Sequence, residues 1–151
     1  MKKFFITIAA TFFLLSFLDA QVQDPVKWSY AASKKSGNEY TVTISATLEP
    51  GWHIYSMNTP NGGPVATTFN FKRNPLVTIE GKTTENGKLS TIYDDVFGVD
   101  VKYFSETVTF VQPLKLKSAV KTNLSGTIKY MVCNDKMCLP PKTVPFNIQI
   151  Q

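Results

Sequence analysis

The sequence predicts an all-β chain folded as an immunoglobulin-like sandwich. Three observations point there. Between Tyr40 and Leu48 apolar residues alternate strictly with Thr and Ser, the period of a strand with one buried face. Turn formers recur between short apolar runs, at Ser36-Gly37-Asn38, Pro50-Gly51, Asn61-Gly62-Gly63-Pro64, Asn74-Pro75 and Asn86-Gly87. No stretch of twelve residues carries the 3.6-residue period of an amphipathic helix. Eight or nine strands with frequent turns and no internal repeat make one sandwich domain.

The first 20 residues stand apart from that domain. Lys2 and Lys3 are followed by an uncharged run of fifteen, Phe4 to Leu18, and Leu18-Asp19-Ala20 ends in a small residue. That is the pattern of a secretory signal peptide cleaved before Gln21, and fifteen residues fall short of the ~20 that span a bilayer. No cysteine at the cleavage point suggests a lipoprotein, and no later run is long enough to cross a membrane. The expected domain is therefore residues 21–151, a length that supports one real core. It carries a formal +4, with lysines scattered rather than striped among aromatics, which argues against nucleic acid.

Along the domain, Val26–Ala31 opens the strands and Tyr40–Leu48 is the strongest of them. Trp52–Ser56 is a short aromatic strand, followed by a Gly/Pro/Asn-rich loop to Pro64. Thr67–Phe71, Leu76–Glu80 and Val99–Phe104 are further short candidates. Tyr93-Asp-Asp-Val-Phe-Gly-Val99 reads as a loop holding two carboxylates and a Phe, which serves either as a core plug or as a lid. Val108, Phe110, Leu114 and Leu116 alternate more loosely, and Pro113 among them suggests a sheet edge or a bulge. Ile128, Tyr130 and Val132 alternate again, as do Val144, Phe146, Ile148 and Ile150.

The chemistry concentrates in Tyr130 to Pro141, which holds both cysteines, Cys133 and Cys138, with four residues between them. Asn134 and Asp135 favour a tight turn, so the segment reads as a β-hairpin with a four-residue loop. Residues opposed across such a hairpin have Cα atoms about 4.5–5.5 Å apart, within the ~4.4–6.8 Å a disulfide requires. Export places the pair in an oxidising compartment, where such a bond persists. Closing a loop of about six residues is worth roughly 2 kcal/mol, against roughly 4.4 for one of about 70. A staple is better placed between distant strands, so a working redox pair is favoured, with a structural disulfide as the alternative.

Other chemistries fit less well. Cys133, Cys138, Met131, Met137 and His53 are soft or borderline ligands, but two Cys and one His fall short of a tetrahedral zinc site. A blue-copper centre needs two His. A Cu(I) site, as in a copper chaperone, stays open, and His53 itself reads as a packed or surface histidine. A Cys–His hydrolase is excluded because the second cysteine would oxidise the nucleophile. No phosphate-binding loop or triad signature is present, and no cofactor or metal is expected. Thiol–disulfide exchange fits best: a thiolate attacks a disulfide sulfur and the second thiol resolves the mixed disulfide. A hairpin lacks the helix N-terminus that lowers a thioredoxin-type cysteine pKa, so the partner supplies the activated thiol. Lys136 favours a thiolate here and Asp135 opposes it.

These residues resemble a known family, the N-terminal periplasmic domain of the thiol:disulfide interchange protein DsbD. The resemblance rests on the cysteine pair followed by Pro-Pro (Cys133 to Pro141), the Pro-Gly-Trp-His-Ile-Tyr strand (Pro50 to Tyr55) and the Asp-Asp-Val-Phe-Gly loop (Asp94 to Gly98). It implies an immunoglobulin-like sandwich that passes electrons as a protein-disulfide reductase-type carrier in the periplasm. A thioredoxin-like protein or domain would reduce it, and disulfide isomerase-like or other oxidised exported proteins would accept its electrons. Cys138 would form the mixed disulfide and Cys133 resolve it. Phe97, or Val96 one residue earlier, would cap the disulfide, with Asp94 and Asp95 beside it tuning protonation and Tyr130 a further neighbour. The better-known members have five residues between the cysteines, where this chain has four. The sequence holds no transmembrane electron-carrying segment and no Cys-x-x-Cys domain, which suggests a stand-alone shuttle. The rival of another class is a non-catalytic immunoglobulin-like binding module with a stapled hairpin.

Overall fold

A computed structural model describes residues 24–151; the expected signal peptide lies outside the described residues. Among those residues the chain forms twelve strands and no helix. β1 (Val26–Ser36) and β2 (Glu39–Leu48) make a long antiparallel hairpin around Gly37. β2 pairs in turn with β9 (Thr107–Leu116), and the far side of β9 takes β5 (Val77–Ile79) and β6 (Thr84–Gly87). A second sheet orders β12 (Lys142–Ile150), β10 (Thr122–Tyr130) and β4 (Thr68–Phe71). A third orders β11 (Val132–Cys133), β3 (His53–Tyr55), β8 (Val99–Phe104) and β7 (Ser90–Asp94).

The alternation seen in the sequence builds the core directly. Tyr40, Val42, Ile44, Ala46 and Leu48 of β2 are all buried, as are Val108, Phe110, Leu114 and Leu116 of β9. They join Leu124 and Ile128 of β10 and Phe146, Ile148 and Ile150 of β12 in one cluster. Burying each such large side chain contributes about 1.5–3 kcal/mol. Gly126 sits on the inward face of β10 because nothing larger fits. A Cβ there would lie 2.7 Å from the Phe146 ring and 2.3 Å from the Asn70 carbonyl oxygen.

Two expectations are corrected. Twelve strands replace eight or nine, because β6 and β7 form at the Asn86-Gly87 turn and the start of the Tyr93–Val99 loop, and the Ile128–Val132 run divides into β10 and β11. Neither β6 nor β7 carries an apolar stripe; β6 is held by its ladder to Val108–Val111 of β9. Glu85 of β6 also binds the Ser56 hydroxyl, the Met57 N–H at 2.9 Å and the Asn58 amide at 2.8 Å. Of the two readings of Pro113 the edge does not hold, since β9 is paired on both sides, but the ladder is irregular there: β5 ends opposite Leu114 and β6 starts opposite Val111. Pro113 still accepts from Glu80 N–H at 3.0 Å. The donor it lacks is replaced by its neighbour: the buried Gln112 amide donates to the Glu80 carbonyl at 2.9 Å. That keeps a proline inside a sheet without leaving a carbonyl unpaired.

Candidate redox site

The site is built on one face of the third sheet. Successive strand residues point to opposite faces. Registers Val132↔Ile54 and Ile54↔Phe104 place these three on the core side, where all are buried. Registers Cys133↔His53 and Tyr55↔Tyr103 place the alternate residues on the other side. There Tyr55, Val101 and Cys133 form a second buried cluster, with Val99, Tyr103 and Met131 packed against it.

At the edge of that cluster the chain reverses. Asn134 N–H donates to Met137 O and Leu139 N–H to Val132 O, both at 2.9 Å. The Asn134 side-chain oxygen accepts from Lys136 and Met137 N–H at 2.9 Å, the local bonding that makes Asn a turn former. Those two backbone bonds flank Cys133 and Cys138, so the cysteines are a non-hydrogen-bonded pair, the kind that brings side chains closest. Their Cα atoms are 4.0 Å apart and their sulfurs are bonded at 1.99 Å. The two sulfurs are not equivalent. Cys133 is 2 % exposed, whereas Cys138 stands on the exposed outer strand of the hairpin beside exposed Met137.

Behind Cys133 lies a polar chain. The Tyr55 hydroxyl donates to Cys133 Sγ at 3.1 Å, and His53 Nε2 lies 3.3 Å from the same hydroxyl. Burial pushes the Tyr55 hydroxyl up to about 12, with Asp94 and Tyr103 adding to the rise. Burial also holds the His53 imidazole below its ordinary value, opposed by the charges of Asp135 and Asp94. Tyr103 packs on the His53 ring at 4.8 Å.

The loop from Asp94 to Val99 joins β7 to β8 at the end of this face. Asp94 organises it: its carboxylate accepts from Val96 N–H at 2.9 Å and Phe97 N–H at 3.2 Å, and its carbonyl from Gly98 N–H at 2.7 Å. Gly98 closes the turn at φ 68°, a conformation that favours glycine. Phe97 is half-buried, Val96 is 89 % exposed and Asp95 is exposed.

A family model described as "Thiol:disulfide interchange protein DsbD, N-terminal" matches residues 20–149. The chain belongs to this family. Two solved structures share the fold. The N-terminal periplasmic domain of ScsB from Proteus mirabilis is 21% identical with a TM-score of 0.60, covering 83% of this chain and 46% of its own. This chain thus spans less than half of that ScsB domain. The reduced N-terminal domain of Neisseria meningitidis DsbD is 15% identical with a TM-score of 0.56, covering 82% of this chain and 84% of its own. No curated protein sequence matches the chain.

Within this DsbD-type domain the structure brings Cys133, Cys138 and Asp94 to one end of one face. It does not bring Tyr130 there. That side chain is 1% exposed in the main core, edge-on to Trp28, with its hydroxyl 3.4 Å from Asp24. It lines a mostly apolar groove with Val132, Leu139 and Pro140 instead. Phe97 is not among the side chains packed on the Tyr55–Val101–Cys133 cluster. His53 and Tyr55 are the residues that the sequence alone did not assign to the site. Their spacing of two within a strand was the available signal, since it puts both on one face. Among the described residues no group of three or more His, Cys, Asp or Glu is placed to hold a metal ion. Nor is any helix there long and apolar enough to cross a membrane.

Proposed function

We propose that this domain is an exported thiol–disulfide carrier that works through the Cys133–Cys138 pair. The observation that carries the reading is the asymmetry of the two cysteines, Cys138 exposed and Cys133 2 % exposed. An incoming thiolate meets Cys138 first. The Cys138–partner bond forms, the Cys133–Cys138 bond breaks, and Cys133 leaves as a thiolate beneath the Tyr55 hydroxyl. In the return direction Cys138 attacks an oxidised partner, and Cys133 resolves the mixed disulfide. The hydrogen bond from Tyr55 stabilises charge on the buried sulfur in both directions; such bonds to charged groups contribute about 1.5–3 kcal/mol.

Residues 1–20 direct the chain to the periplasm and are cleaved, leaving 21–151 as the working domain. A thioredoxin-like protein or domain supplies the electrons, and disulfide isomerase-like or other oxidised exported proteins receive them. Phe97 is the proposed cap, with Val96 the alternative in register, and it would act by closing the Asp94–Val99 loop over the exposed Cys138 before a partner docks, while Asp94 and Asp95 shape the local charge. The test is trapping in the native periplasm. Cys133→Ser should retain Cys138 and accumulate a mixed disulfide with a partner, and Cys138→Ser should trap none. The reverse pattern exchanges the two roles. A potential below about −300 mV, measured against dithiothreitol, identifies an inert staple and ends the carrier reading.

A further inference from the structure

One hydroxyl has one proton, and that fact orders the chain behind the disulfide. The Cys133 sulfur, bonded to Cys138, carries no hydrogen and can only accept. Tyr55 therefore spends its proton on sulfur, at 3.1 Å. With that proton on sulfur, the Tyr55 oxygen and His53 Nε2, 3.3 Å apart, form a hydrogen bond when the ring carries its proton at Nε2. That is the arrangement that satisfies both contacts in the oxidised domain. When Cys133 becomes a thiol the order reverses: S–H donates to Tyr55, Tyr55 donates to Nε2, and the ring keeps its proton at Nδ1.

We propose that His53 is the proton reservoir of the exchange, passing one proton through Tyr55 to the Cys133 sulfur when the disulfide opens and taking it back when it closes. This positioning role rests on the carrier reading above. On opening, the partner thiolate bonds to Cys138, and the electron pair of the broken S–S bond goes to Cys133. The Tyr55 proton moves onto Cys133, and Nε2–H of His53 replaces it on Tyr55 as Nδ1 takes up a proton from solvent. The ring is left neutral with its proton at Nδ1. Closing runs the same transfers backwards: Cys133 loses its proton, attacks Cys138 and expels the partner's thiolate to solvent.

The surroundings suit that task. The thiolate and not the thiol is the nucleophile, so Cys133 needs a proton acceptor before it can attack. Tyr55, pushed up to about 12, is a relay and not the acceptor, because tyrosinate is disfavoured in its pocket. The neutral ring is the acceptor; it is only half-buried, so it exchanges its proton with solvent. The charges it meets are the carboxylates of Asp94, from the end of β7, and Asp135, from the hairpin turn, with the neutral phenols of Tyr103 on β8 and Tyr55 on its own strand. Both carboxylates stabilise the imidazolium formed when Cys133 gives up its proton.

His53 is the only histidine in the chain, so ring nitrogen NMR reads it without overlap. The ¹⁵N-labelled protein is examined oxidised and after reduction by dithiothreitol, near neutral pH. The expected result is a proton on Nε2 in the oxidised form and on Nδ1 in the reduced form, with the swap lost in Tyr55→Phe. The same tautomer in both redox states overturns the proposal, as does a swap that survives Tyr55→Phe. A disulfide that dithiothreitol cannot open fails the carrier reading itself, so the two failures are distinct.

Kinetics supply a second readout. His53→Gln keeps a donor for Tyr55 but cannot titrate. The ratio of wild-type to His53→Gln rates of opening by glutathione, in which the ionisation of glutathione cancels, should grow as pH falls from about 8 to about 5. At the acid end it should reach roughly a hundredfold, the lower bound for a positioned acid–base group. A ratio that stays flat with pH reduces His53 to packing and overturns the proposal.

Discussion

The two faces of the four-stranded sheet β11–β3–β8–β7 are made by the same short strands, offset by one residue. On one side Val132, Ile54 and Phe104 continue the main core; on the other Cys133, His53, Tyr55 and Tyr103 surround the disulfide. The pleat therefore separates stability from chemistry without a second domain. Its core face anchors the strands to the sandwich, and that anchoring holds the redox face in register. A loop-borne site would not have that rigidity. Substitutions on one face should move stability and leave exchange alone, and those on the other should do the opposite.

Phe104→Ala tests the core face and carries the largest expected change in stability. The side chain is 2 % exposed, and truncating a buried Phe costs about 3–5 kcal/mol. Urea unfolding should show that loss, while the reduction potential of the folded fraction stays at the wild-type value. A shifted potential would mean that the faces are coupled through the sheet. Replacing both cysteines by Ala tests the other face. Removing a six-residue loop closure costs about 2 kcal/mol, so the domain should still fold, with exchange abolished. A variant that does not fold would make the bond a structural staple.

The contrast also explains what could be read from the sequence. The core strands announce themselves because alternation is local: Tyr40 to Leu48 needs no partner to be recognised. The opposed cysteines are legible for the same reason, since the turn that joins them lies between them. β6 and β7 are not, because they are polar or exposed and exist through ladders to β9 and β8. Pro113 marks the break in the ladder between β5 and β6, but its place inside the sheet depends on the side chain of the preceding residue, Gln112. His53 reads as a packed or surface histidine until the register Cys133↔His53 joins two segments far apart in sequence. The position of Tyr130 is legible in the sequence. It lies three residues before Cys133, and in extended chain that spacing points to the opposite face.

The Asp94–Val99 loop sharpens the comparison further, because it belongs to neither face fully. If Phe97 shields Cys138, Phe97→Ala should speed reduction by small thiols several-fold, toward the rate of an open disulfide, with unchanged urea stability. Val96 is 89 % exposed, so Val96→Ala should leave the rate as it is. An effect at Val96 alone would move the cap by one residue. A stability loss at Phe97 with no change in rate would make it a packing residue of the loop that Asp94 organises.

The smallest expected effect is a slope of stability with pH. Burial holds the folded-state pKa of His53 below the 6.5 of the unfolded chain. Between those two values the unfolded chain binds more protons than the folded one, so stability rises with pH across that window. The domain should therefore lose stability as pH falls below about 6.5, and keep the full contribution above it. The ring is only half-buried and faces two carboxylates, so the loss is small beside a core truncation. Other groups titrate as the solution turns acid, which makes the difference between wild type and His53→Gln the quantity to measure. That difference should favour wild type less at acid pH than at neutral pH. A difference running the other way would mean that Asp94 and Asp135 outweigh burial, and that the ring sits charged against the redox face at rest.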